Sequence, residues 1–86
     1  MFDLRIKRKA LRYIERLDEK RKKVIKETLL LLKLDPVPAR KRDVSKLRGY
    51  DNIYLIRIGD FWIVYQVQWS ERIIVIIYVG PRGKAY

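Results

Sequence analysis

Seven side chains in the second half of the chain are of the types that phosphate chemistry uses: Lys46, Arg48, Arg57, Trp62, Arg82, Lys84 and Tyr86. Cleaving RNA makes three demands at one phosphodiester. The 2′-hydroxyl must lose its proton, the charge on the pentavalent phosphate must be stabilised, and the leaving 5′-oxygen must be protonated. Forked, charge-assisted hydrogen bonds from arginine meet the second demand. A lysine crowded by other cations has a lowered pKa and can act as base. A tyrosine can orient groups or assist proton transfer, and Trp62 and Tyr86 can stack on unpaired bases. The same residues admit a plainer reading, in which Trp62 covers apolar sheet and Arg82 only binds phosphate. There is no histidine and no cysteine. Thiol chemistry, disulfides and the commonest general acid–base are therefore excluded. The 10 acids are scattered, with no pair aimed at one face, which disfavours a carboxylate hydrolase. P-loop, GxGxxG, GxSxG and zinc-ligand spacings are absent, so no cofactor and no metal is expected.

The elements that must hold these residues are strands. Ile53–Ile58, Phe61–Trp69 and Arg72–Val79 are rich in β-branched and aromatic residues, which suit a half-buried pleated surface. Gly59-Asp60 is a two-residue hairpin signal, and Ser70-Glu71 a weaker one. Together they predict an antiparallel meander in which Arg57 opposes Trp62 and Gln66 opposes Val75. Strict alternation then puts Ile56, Ile63, Tyr65, Ile74, Ile76 and Tyr78 on an apolar face that should meet helices. The other face carries Arg57, Trp62, Val64, Gln66, Val75, Ile77 and Val79. It is too apolar to be idle and too polar to be core, so function is expected there.

The rest of the chain supplies cover for the apolar face. Phe2 to Ile6 alternates as a short strand. Ala10, Leu11, Ile14 and Leu17 recur at helical spacing, as do Val24, Ile25, Thr28, Leu29, Leu31 and Leu32. Asp18 is placed to cap the second helix, and Asp35-Pro-Val-Pro38 ends it. Val44 to Leu47 reads as a short extended piece. The expected fold is α+β in the order β-α-α-β-β-β, an αα-hairpin packed on an antiparallel meander, in a single domain over residues 1–86. Formal net charge is +11, which points to a polyanionic partner. The charge sits mainly on the helices and on the basic loop Arg40-Lys41-Arg42. No run is apolar and long enough to span a membrane, and the N-terminus lacks a secretory apolar region. A cytoplasmic protein without a membrane partner is expected. Abundant Lys, Arg and Ile lean toward a thermophile.

Five stretches carry a resemblance to a known family. They are Asp35-Pro-Val-Pro38, Lys46-Leu-Arg-Gly49, Ile56-Arg-Ile-Gly-Asp-Phe61, Ile63-Val-Tyr-Gln-Val67 and Gly80-Pro-Arg-Gly-Lys-Ala-Tyr86. Their order and spacing, more than any one of them, resemble the RelE toxins of the RelE/ParE superfamily, archaeal members above all. The resemblance implies a metal-independent, ribosome-dependent endonuclease that cuts mRNA in the A site. It also implies a RelB-like antitoxin as partner, and contact with mRNA and 16S-type rRNA. Arg57, Arg82, Lys84 and Tyr86 fall on the family's catalytic positions. Lys46, Arg48, Trp62, Arg40 and Lys41 are expected to face RNA, and Val64, Val75 and Ile77 to meet the antitoxin. Two positions depart from the pattern: Trp62 stands where an arginine is frequent, and Leu55 where some members have a lysine. A gyrase-inhibiting ParE-like toxin and a non-catalytic RNA- or ribosome-binding relative remain open as alternatives.

Overall fold

The hairpin at Gly59-Asp60 forms in the register that a two-residue turn imposes. Gly59 takes φ +54°, a conformation glycine adopts at little cost. Ile58 faces Phe61, Arg57 faces Trp62 and Ile56 faces Ile63. The computed structural model describes residues 1–81. Strand β1 is Asp3–Ile6, helix α1 Arg8–Glu15, helix α2 Glu19–Leu34, β2 Asp43–Lys46, β3 Ile53–Ile58, β4 Phe61–Gln68 and β5 Ile73–Pro81. The fold is α+β, as expected, with one strand more than the expected order. The short extended piece is β2, an antiparallel edge strand on β3. The sheet is mixed rather than a pure meander. Its order is β1-β5-β4-β3-β2, with β1 parallel to β5.

Both helices lie on one face. Helix α2 buries Ile25, Thr28, Leu29 and Leu32, the i, i+3, i+4, i+7 stripe of an amphipathic helix. Helix α1 is shorter and buries only Ala10 fully. Asp18 occupies the N-cap position of α2, yet its carboxylate accepts from Arg21 Nη1 at 3.0 Å instead of capping the backbone. Arg21 Nη2 also donates to Asp60, at 3.2 Å. The start of α2 is thereby tied to the β3–β4 turn, and Arg21 holds the Asp18 carboxyl below its ordinary range.

The strict alternation predicted for β5 does not hold along its whole length. The register of β4 on β5 shifts between Val64 and Tyr65, where Val64 faces Tyr78 but Tyr65 faces Ile76. Ile77 is the extra residue of a β-bulge. One inserted residue inverts every position after it, so Val79, expected on the open face, is buried in the core opposite Ile63. Tyr78, expected in the core, joins the open face beside Val64.

Tyr65 fastens the loop after α2 to the middle of the sheet. Its hydroxyl donates to the Pro36 carbonyl at 2.7 Å, and its ring stacks on Tyr54. Burial, then the neighbouring Tyr54 and Asp35, hold the phenol neutral well above the ordinary tyrosine range. A pKa raised on folding contributes stability in full below the unfolded value near 10. That contribution is lost as pH rises toward the folded value. Alkaline denaturation should therefore steepen above about pH 10, and Tyr65→Phe should remove that steepening. At neutral pH the same variant should unfold with about 1 kcal/mol less stability, because the Pro36 carbonyl loses its donor. Thermal melts of both proteins across the pH range measure the two effects.

Candidate functional site

The face of the sheet away from the helices is built in rows of cross-strand neighbours. One row runs Asp43–Arg57–Trp62–Gly80, and the next runs Ser45–Leu55–Val64–Tyr78. Leu55 and Val64 are buried but lie outside the main core cluster. They make an apolar floor on this second face. Arg57 stands at its edge with about a third of its side chain exposed.

Arg57 is held from both sides. Its Nη1 donates to Ser45 Oγ at 2.9 Å and makes a longer contact to Asp43 Oδ1 at 3.4 Å. On the other side its guanidinium carbon lies 6.0 Å from the centre of the Trp62 ring. Among the described residues Nε and Nη2 take no hydrogen-bond partner. That leaves a two-donor edge of the kind that grips a phosphate in a fork. The Asp43 pair is exposed and contributes little by itself, about 0.2–1 kcal/mol. Its effect is to restrict where the guanidinium points. Trp62 suits the same purpose, since a cation directly opposite Arg57 would repel it, whereas the indole face attracts it.

Tyr78 ends the neighbouring row, opposite Val64. Its hydroxyl donates to the Pro81 carbonyl at 3.1 Å, and its ring lies so close over Gly80 that a methyl group there would collide with it. Trp62, opposite Gly80, is half-buried, and its Nε1–H is buried without a partner among the described residues.

The residues named from sequence fall into separate groups. Arg57 and Trp62 are brought together. Arg40 and Lys41 are exposed in the turn leading into Asp43, at the Arg57 end of the sheet. Lys46 pairs with Tyr54, three residues from Arg57, or about 10 Å along the strand. Lys46 and Arg48 line a separate cavity of about 570 Å³ with Tyr50. Val75 and Ile77 are half-buried, whereas Val64 is fully buried and presents no surface of its own. Arg82, Lys84 and Tyr86 lie outside the described residues. Asp43 and Ser45 were not singled out from sequence. Their signal was the alternation Asp43-Val44-Ser45, which puts both on one face once the strand is recognised. Among the described residues no three His, Cys, Asp or Glu side chains gather as a metal site, and no helix is long and apolar enough to cross a membrane.

Comparison with known proteins agrees with this architecture. The family model described as the ParE toxin of the type II toxin–antitoxin system parDE matches residues 4–86. A candidate toxin, RelE1, of Methanocaldococcus jannaschii is 36% identical over 85 residues, spanning 99% of this chain and 94% of that protein. The crystal structure of the RelE–RelB complex of Pyrococcus horikoshii OT3 superimposes with a TM-score of 0.87 at 30% identity, covering 98% of each chain. The intact RelBE complex of E. coli shares the fold, with a TM-score of 0.80 at 24% identity over 94% of this chain and 96% of that one.

The clamp on Arg57 has a direct readout. Side-chain ¹H–¹⁵N spectra should show restricted rotation of the Arg57 guanidinium in the native protein. Ser45→Ala should free it, and Asp43→Asn should loosen it less, in line with the 2.9 and 3.4 Å contacts. Equal mobility in all three proteins would show that the clamp does not restrain the side chain.

Proposed function

The chain belongs to the ParE/RelE family of type II toxin–antitoxin toxins, and on that premise we propose that it is a ribosome-dependent mRNA endonuclease. It cuts the codon in the A site without a metal, stops translation, and is restrained by a RelB-like antitoxin. The observation that carries this reading is the Arg57 fork, pinned by Ser45 and Asp43 and open along Nε and Nη2. A guanidinium fixed before the substrate arrives stabilises the pentavalent phosphate without reorganising during the reaction. Arg82, Lys84 and Tyr86, which follow the last described residue, carry the remaining roles by their match to the family motif. Arg82 shares the phosphate charge, and Lys84 and Tyr86 serve the proton transfers. Leu55 and Val64 form an apolar floor, so neither can be a base.

Trp62 replaces a frequent cation of the family with a ring that can take an unpaired base while holding Arg57. Bending of the message by the ribosome supplies the in-line geometry that so few groups could not impose alone. The antitoxin covers the same face through the half-buried Val75, whereas Ile77, expected beside it, is the bulge residue and lines the gap between α1 and β5. A reaction on the ribosome places the protein in the cytoplasm.

Primer extension on ribosomes from the source's own domain of life tests this reading. Cleavage should occur within the A-site codon and require the ribosome. Arg82→Ala and Arg57→Ala should each lower its rate by about 10²–10³-fold, the usual cost of removing one charge-stabilising donor. Intact message together with inhibition of DNA supercoiling would assign the chain to a gyrase-directed ParE activity instead. Ribosome binding without cutting would make it a binding relative.

A further inference from the structure

Strand β1 covers only part of its neighbour. It pairs with β5 from Ile73 to Ile76, so among the described residues β5 from Ile77 onward has no strand on that side. Lys7 N–H donates to the Ile76 carbonyl at 2.9 Å, and the chain turns there into α1, which packs along the uncovered stretch. Between helix and strand lies a cavity of about 380 Å³. Lys9, Arg12 and Tyr13 line it from α1 and Arg16 from the C-cap of that helix, with Tyr78 lining it from β5. Among the described residues no acid contributes to the lining.

The charge in this cleft is not neutralised from within. Among the described residues Lys9, Arg12 and Arg16 enter no ion pair, whereas Arg21, Lys22 and Arg57 each have a carboxylate partner. Lys9 lies in the first turn of α1, which carries no acid, whereas Arg12 is in its last turn and Arg16 at its C-cap. Two tyrosines beside three unpaired cations match a nucleotide, with phosphates on the cations and a base against a ring. An acidic peptide would use the cations and leave the rings idle. Tyr78 belongs to both places, since it lines this cleft and stands one row from Trp62 on the open face.

We infer that the α1–β5 cleft is a second RNA-binding site, taking a nucleotide of single-stranded RNA that crosses the β5 edge at Tyr78. The inference rests on the RNA-directed reading above but does not require cleavage. Its test is fluorescence anisotropy of the whole protein with a labelled, 2′-O-methylated single-stranded RNA across a salt series. Replacing Lys9, Arg12 and Arg16 together by Ala should lower the slope of log K against log salt by about 1.4, at roughly 0.7 for each of the two phosphates that flank the bound nucleotide. The control variant Lys20→Ala/Lys23→Ala/Lys26→Ala removes the same charge from α2 and should change the slope by less than half as much. Equal losses in the two variants, or an unchanged slope in the first, overturn the site. So does a first variant that keeps its RNA slope but loses binding to poly-glutamate, because the cleft would then serve an acidic protein. Cleavage is scored separately on ribosomes: an uncut message beside the expected slopes removes the endonuclease reading and leaves this site standing.

Discussion

The architecture depends on the burial of β4 on both of its faces. Ile63 and Tyr65 are fully buried on the helix side, and Val64 between them is fully buried on the other. A central strand with nothing exposed in its middle needs a neighbour on each edge and cover on each face. The two helices provide one cover. On the second face Tyr78 continues the floor row of Leu55 and Val64, and the row through Arg57 and Trp62 lies beside it. The second face is therefore a smaller core bordered by the Arg57 guanidinium, which Ser45 and Asp43 hold in place.

The bulge at Ile77 makes that border possible. Without it Tyr78 would point into the helices and Val79 would stand on the open face. With it, Val79 completes the main core and Tyr78 reaches the open face one row from Trp62. A side chain at Gly80 would have to displace the far end of the Tyr78 ring. A single inserted residue thus moves an aromatic group from the core to the open face, as bulges re-aim side chains.

Much of this was legible in the sequence, and what was not has specific physical reasons. The Gly59-Asp60 turn fixed the pairing of Arg57 with Trp62, because a two-residue loop admits one register. The α2 stripe read correctly because its period is long enough to count, whereas on α1 Leu11 is exposed and Leu17 lies past the helix end. The bulge left no mark, since Ile73 to Val79 is an unbroken run of strand-forming residues on either side of Ile77. β2 offered one apolar residue, Val44, in four positions, too few to show its alternation. Asp43 and Ser45 went unread with it. The parallel pairing of β1 with β5 joins residues about seventy positions apart, and no local pattern encodes such a contact. The family resemblance was carried by motif order, which survives even though Leu55 and Trp62 depart from the pattern.

The proposed function has RNA worked on at the open sheet face, with Arg57 on the phosphate. The most direct measurement is a structure of the protein on a ribosome programmed with mRNA that carries a 2′-O-methyl group at the A-site codon, which blocks the reaction. The Arg57 guanidinium should lie within about 2.7–2.9 Å of an oxygen of the scissile phosphate, its Nη1 still on Ser45, and Trp62 against an unpaired base. A scissile phosphate bound elsewhere, with the Arg57 row facing away from the message, would contradict it.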